Sequence, residues 1–479
     1  MANAHENLFL YEEISATLEE SILQKNFQIG DKLPSVRLLS KQYGVSASTI
    51  FQAYYRLEAK GLVEARPKSG YYVRHQPTVK IPIHPVHESQ PNLHNINTDR
   101  ILDEMEELRN SETVTRLSNA IPDVSLLPTA KLNKSVAEIL RMQGNQLLDY
   151  APVQGNEALR KAIARQMIAW GGNYQESDIL ITNGCIEALN LCIRAVCKAG
   201  DIVAVNELTY FGIHQSIESL GLQVVAIPQA GLEGLDLNFL EKALQKFPIK
   251  ACIFVLNFHN PTGTCMSNAS KQSLYELLRR YEIPLIEDDI YGELYFGKKR
   301  PGNVKNFDQE GLVMYCSSFS KTLSPGYRVG YCLPGRFLSR LIHEKRIYSS
   351  SVSSLAQATI AHFLKTGRFE YHLRKLRNAL HAQQIFYTKL ILQYFPEEVE
   401  FSQPSGGLVF WLKFPEGFNG YELFLRAREA RLSIVPGQIF SVSGTHQNYI
   451  RLSFANPPTP KIEEGFQKLG KLVLLMLRE

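Results

Sequence analysis

The sequence predicts an α/β protein in two unequal parts, a small helical head with a hairpin and a large body on a mostly parallel sheet with helices on both faces. Three observations carry this. The first 75 residues show helical periodicity and then two short strand patterns across a Pro/Gly turn. From about Thr115 onward, apolar strand-like runs alternate with helical patterns, the signature of a sheet covered by helices. Between the two lies a stretch with Pro77, Pro82, Pro85 and Pro91 and little periodicity, which reads as a partly extended linker.

Composition bounds the rest. The chain has 479 residues, 44% apolar and 21% charged, which excludes disorder, collagen-like repeats and a small disulfide scaffold. No run approaches the ~18 apolar residues of a membrane span, and MANAHENLFLYEE lacks the basic and apolar regions of a secretory signal. Seven cysteines without a C-x-x-C pair fit a reduced compartment and no structural zinc, so the expected location is cytoplasmic, with no membrane or metal partner. Charge is concentrated. Residues 25–75 hold nine Lys/Arg against three acids, whereas residues 1–24 hold five glutamates and no Lys/Arg. A segment that positive suits a polyanion-facing module.

In the head (residues 1–75), Leu10, Ile14, Leu18, Ile22 and Leu23 fall on one helical face. A second helix reads SVRLLSKQYG and stops at Gly44. A third follows the N-cap Ser46, with Ile50, Tyr54 and Leu57 facing inward. LVEAR and GYYVR then form a hairpin across Pro67-Lys68-Ser69-Gly70, completing a winged helix-turn-helix. In such a module the third helix enters the major groove of double-stranded DNA and the wing reaches the backbone beside it. Ser46, Ser48, Thr49 and Gln52 can reach bases or phosphates; Arg37 and Lys68 suit phosphate, with Ser69 and Gly70 at the wing tip. The run GDKLPSVRLLSKQYGVSASTIFQAYYRLEAKGLVEARPKSGYYV resembles the GntR family of bacterial winged-helix regulators. Ala47 stands where that family often has Arg, so one usual DNA contact is missing.

Residues 76–112 make the linker, ending in an acidic helical piece, ILDEMEELRN; its irregularly spaced histidines do not suggest a metal site. In the body (113–479), several apolar runs end in chemically loaded residues. DILIT leads to Asn183-Gly184-Cys185, ACIFVLN to Asn260-Pro261-Thr262-Gly263, IPLIED to Asp288, and LVMYCSS to Ser318 and Lys321. Carboxyl ends of such strands form the ligand crevice of an α/β sheet. Gly184 and Cys185 open a helix whose free N–H groups suit a phosphate, and Ser318 and Arg328 can add contacts. Asp288 past a buried strand calls for a cation, such as a protonated ring nitrogen, and a desolvated Lys321 is a usable amine nucleophile. Phosphate, ring nitrogen and lysine-reactive carbonyl together describe pyridoxal 5'-phosphate.

The body also resembles the class I/II aminotransferases of pyridoxal-phosphate fold type I, with a large part near 140–345 and a smaller C-terminal α+β part near 350–479. SSFSKTLSPGYRVGY matches that family's lysine motif, which implies Lys321 as the Schiff-base lysine and Ser318, Ser320 and Arg328 near the phosphate. NPTG implies Asn260 at the pyridine hydroxyl. EDDIYGELYF implies Asp288 on the ring nitrogen and Tyr291 on the hydroxyl, and ELTYFG implies Tyr210 over the ring. YAPVQGNEALR implies that Tyr150 reaches the phosphate of a neighbouring subunit, and YIRLSFA that Arg451 clamps a substrate carboxylate. Head, linker and body in this order resemble the MocR subfamily of transcriptional regulators. The resemblance implies a head-to-tail homodimer binding an operator and sensing pyridoxal phosphate, or an amino compound, through an aldimine at Lys321. The alternative is a working aminotransferase with an appended DNA-binding head; a third reading gives the cofactor only a structural role.

Overall fold

The computed structural model describes residues 10–23, 27, 30–59, 61–66, 69–74, 90–94, 103–105, 113–231 and 234–479. The head holds α1 (Leu10–Leu23), α2 (Val36–Tyr43) and α3 (Ala47–Ala59), then β1 (Val63–Arg66) and β2 (Gly70–Val73). Ser35 starts α2 by accepting the Leu38 N–H at 3.2 Å, and Gly44 ends it with φ 65°. Val45 and Ser46 complete the turn before α3. β1 and β2 pair antiparallel, with Val63 opposite Val73 and Arg66 opposite Gly70. Ile14, Leu18, Leu39, Ile50, Tyr54, Leu57 and Val73 form one small core, and Tyr54 stacks on Tyr71 at 4.2 Å. The three inward positions expected of α3 are therefore buried. Leu10 is not: at the first residue of α1 it is 56% exposed. The Leu23 side chain and all of Pro67 and Lys68 lie outside the described residues.

The body is built on an eight-stranded sheet. Its strands are β3 (Leu93–His94), β5 (Leu180–Thr182), β6 (Ile202–Asn206), β7 (Gln223–Ile227), β8 (Ile249–Val255), β9 (Leu285–Asp288), β10 (Val313–Ser318) and β11 (Gly330–Leu333). The order is β3-β7-β6-β8-β9-β10-β11-β5, with the β7-to-β10 stretch all parallel. β11 runs antiparallel to both its neighbours. Helices cover both faces. Cys185–Val196 and Leu338–Tyr348 share a core on one side, while Leu237–Lys246 and Asn268–Arg280 pack on another apolar layer.

One segment departs from the linker reading. Leu93 and His94 form an edge strand on the body sheet, opposite Val225 and Val224. A sheet edge offers unpaired N–H and C=O groups that a short passing segment can satisfy, and two residues are too few to show a strand period. Of the acidic piece, Asp103–Met105 are helical, and most of the linker lies outside the described residues.

The C-terminal part carries β12 (Glu400–Phe401), β13 (Val409–Lys413), β15 (Val435–Pro436) and β16 (Tyr449–Ser453) in the order β12-β13-β16-β15. It packs against the helices Arg368–Tyr394 and Pro460–Met476. β4 (Thr115–Arg116) crosses to pair with β14 (Leu432–Ser433), tying the start of the body to its end. Glu12 of α1 meets Arg56 at 2.9 Å and Lys298 of the body at 3.3 Å.

Candidate functional site

The crevice lies where β5, β6, β8, β9 and β10 end. After β5 the chain turns through Asn183 and Gly184 into the Cys185–Val196 helix. Thr182 Oγ1 donates to the Gly184 carbonyl at 2.9 Å. Gly184 has φ 88°, and a Cβ there would meet the Arg328 guanidinium at 2.5 Å. Gly330 is equally constrained, since its Cβ would lie 2.5 Å from the Gly184 carbonyl carbon. Arg328, itself left-handed at φ 53°, donates to the Asn183 carbonyl at 2.8 Å. Ser318 Oγ lies 2.8 Å from Ser320 Oγ and accepts the Ser320 N–H at 3.1 Å. A helix start, two hydroxyls and a guanidinium thus form a cup with the chemistry of a phosphate site.

Lys321 follows directly and is partly buried, with Nζ 2.9 Å from the Ala120 carbonyl and 5.8 Å from the Tyr291 ring centroid. Burial, reinforced by the Arg451 charge and opposed by Asp288, lowers its pKa to about 8. Asp288 ends β9. It accepts the Ile290 N–H at 3.1 Å and the Cys185 thiol at 3.4 Å. Burial raises its pKa to about 6, the two hydrogen bonds offsetting part of the rise. Arg451, on β16, donates to Asn260 Oδ1 at 3.0 Å and also to the Ser118 carbonyl. Its Nε is buried without a hydrogen-bond partner, and burial lowers its pKa to about 10. Among the described residues neither Asp288 nor Arg451 has an ion pair. Tyr291 is buried, and it and Tyr210 lie close enough to bear on Arg451's charge; Tyr210 opens the Phe211–Ser219 helix.

A buried acid without a cation, a buried guanidinium with an idle donor and a low-pKa amine are all expensive in an apolar interior. They fit pyridoxal phosphate. Asp288 could take the ring N–H, Asn260 and Tyr291 the ring hydroxyl, the Gly184 cup the phosphate and Lys321 the aldehyde. Arg451 would remain for a carboxylate.

Tyr150 stands apart from this set on the outside of its own chain, 86% exposed. In the head, Arg37, Ser48 and Gln52 are exposed and Thr49 partly so. Ser46 is exposed too, but its hydroxyl is engaged: it accepts the Thr49 N–H and lies 2.7 Å from Ser48 Oγ. Ser69 Oγ is 2.6 Å from the Tyr72 hydroxyl, and Gly70 has φ 117°. Lys68 lies outside the described residues.

Several site features escaped sequence reasoning. The Ala120 and Ser118 carbonyls that receive Lys321 and Arg451 come from a loop some 200 and 330 residues away in sequence, and a backbone acceptor leaves no mark on residue identity. The Cys185 thiol at Asp288 was legible only as part of a helix start. Cys192, Cys316 and Cys332, buried and far apart in sequence, bring their Sγ atoms within 3.4–3.8 Å of one another as free thiols.

Fold and site together define a pyridoxal-phosphate-type aminotransferase body joined to a winged-helix DNA-binding head. The comparisons make this specific. Residues 113–469 match the family model for aminotransferase class I and II, a pyridoxal-phosphate-dependent family, and residues 10–73 that for bacterial regulatory proteins of the gntR family. The HTH-type transcriptional regulator YjiR of Escherichia coli (strain K12) is 35% identical over 466 residues, covering 97% of this chain and 98% of that one. A second, YdcR, is 36% identical over 465 residues with the same coverage. The solved alpha-aminoadipate aminotransferase LysN of Thermus thermophilus, complexed with N-(5'-phosphopyridoxyl)-L-leucine, superposes with a TM-score of 0.73 at 28% identity. It covers 79% of this chain and 95% of its own. The chain belongs to the GntR-type transcriptional regulators that carry a class I/II aminotransferase domain, the MocR arrangement. Among the described residues no helix is long and apolar enough to cross a membrane.

Proposed function

We propose that this regulator holds pyridoxal 5'-phosphate at Lys321 and changes its operator binding when an amino compound bearing a carboxylate enters the same crevice. The observation that carries the reading is the convergence of Lys321, Asp288 and Arg451, each without an ion pair among the described residues, at one end of the sheet. When bound, the cofactor supplies an aldehyde that amines can attack and an electron-withdrawing ring. Asp288 holds the ring proton, Lys321 offers an amine that is largely neutral above pH 8, and the idle Arg451 donor takes the ligand's carboxylate. Arg37 and Gln52 on the exposed face of the head serve phosphate and base contacts.

A homodimer is part of the proposal. Tyr150, Met142 and Leu148 are large apolar or aromatic side chains left exposed on the body, and a regulator with two heads would read two half-sites. A cytoplasmic site of action follows from the DNA partner. The test is a titration of the cofactor-loaded protein with a panel of amino acids and amines, read by the cofactor's absorption and by DNA affinity in parallel. A compound that changes both supports the reading; spectral changes that never alter DNA binding would sink it.

The aminotransferase reading has one specific support: Lys321, Asp288 and Arg451 stand together in one crevice, where Lys321 would be the group to move a proton at the ligand's α-carbon. Sustained turnover with a 2-oxo acid would establish it, and Asp288→Ala is then expected to lower the rate on the order of 10²–10⁴-fold.

A further inference from the structure

We propose that Lys345 is a positioning residue for the phosphate end of the cofactor site, acting through Glu187 and Asn183. The proposal rests on the pyridoxal phosphate reading and deepens it. Lys345 sits in the Leu338–Tyr348 helix with its side chain 0% exposed. Its Nζ donates to the Ile181 carbonyl of β5 at 2.6 Å and lies 3.9 Å from Glu187 Oε2. Glu187 is the third residue of the Cys185–Val196 helix. Its carboxylate accepts the Asn183 backbone N–H, and the Asn183 amide lies 3.2 Å from each of its oxygens. The Asn183 carbonyl in turn receives Arg328. Lys345 therefore stands at the root of a continuous chain, Lys345–Glu187–Asn183–Arg328, that sets the turn on which Gly184 is carried.

Charge gives the chain its purpose. The start of the Cys185–Val196 helix favours an anion, but Glu187 already places one in the first turn. A phosphate at the same terminus would face a fixed carboxylate and lose affinity by repulsion. Lys345 supplies the counter-charge from within the protein. Burying an ammonium is costly unless it is paired, and burial does pull this lysine's pKa down while Glu187 holds it up. A lysine kept in so dry a place, bonded to the strand that leads into the cup and set beside the acid that shapes it, balances the charge of that turn.

The experiment compares apo full-length chain binding pyridoxal 5'-phosphate with the same chain binding pyridoxal, which lacks the phosphate, both followed by absorption. Lys345→Met is expected to weaken pyridoxal phosphate at least ten-fold and to leave pyridoxal within two-fold. Adding Glu187→Gln to it is expected to recover most of the loss, because the unbalanced acid is gone. An equal fall for both ligands, or no fall for either, overturns the proposal. Glu187→Gln alone keeps an acceptor oxygen for the Asn183 N–H and removes the facing charge, so it is expected to tighten pyridoxal phosphate selectively. If Lys345→Met does not fold, that variant decides: weaker pyridoxal phosphate binding would overturn the proposal. Wild-type protein that binds no pyridoxal phosphate would defeat the cofactor reading itself, whatever the variants do.

Discussion

The head and the body place their functional residues in opposite environments. Arg37, Ser48 and Gln52 stand in solvent on short helices around a small core. Asp288 and Arg451 are buried among large apolar layers and Lys321 is partly so, each with its acidity displaced by desolvation. The difference follows from what each part meets. A nucleic acid is an extended polyanion reached across water, so its contacts must be exposed, individually weak and salt-dependent. A small cofactor is enclosed, and its partners gain strength from a dry site at the cost of being expensive when alone. Single changes should therefore act sharply in the body and gradually in the head.

The largest effect is expected from Lys321→Ala. It should abolish covalent retention of pyridoxal phosphate, seen as loss of the protein-bound absorption band and of the cofactor mass fixed by borohydride. Retention by that variant would break the comparison at its centre. Next comes Gly184→Ala. With φ 88° and a Cβ 2.5 Å from Arg328, the substitution should cost about 1–3 kcal/mol of local strain, read as weaker cofactor binding in a fluorescence titration.

The third prediction concerns pH. Lys321 reacts as the neutral amine, and its pKa of about 8 lies below that of a free lysine. The rate of cofactor capture should rise about ten-fold per pH unit below pH 8 and level off above it. Removing a neighbouring positive charge favours protonation, so Arg451→Gln should move this midpoint upward; a downward shift in stopped-flow absorption would contradict the assigned electrostatics. The smallest effect belongs to the head. Arg37→Ala should weaken DNA binding evenly across sequences and reduce the salt slope by about 1, measured by fluorescence anisotropy against selected and random duplexes. A strong loss confined to one sequence would instead make Arg37 a base reader.

Local pattern told a great deal about this chain. The three helices and hairpin of the head announce themselves through periodicity, caps and turn residues, all properties of neighbours within a few positions. β5, β8, β9 and β10 show in the sequence as apolar runs ending in reactive residues, whereas β6 is marked only by the ELTYFG motif that follows it and β7 carries no such ending. Lys321, Asp288, Asn260 and Arg451 each sit in a motif, and the structure brings them to one crevice.

What tertiary structure alone decided is of another kind. Leu93–His94 joins the sheet only because β7 leaves an open edge. Lys321 finds its acceptor at Ala120, 201 positions away, and Cys185 reaches Asp288 across 103. Nothing in the sequence marks Lys345 as more than a helical lysine, yet the fold buries it against Glu187. The physical reason is the same in each case: periodicity and capping are short-range and repeat along the chain, whereas desolvation and pairing of a single charge depend on which distant atoms the finished fold packs around it.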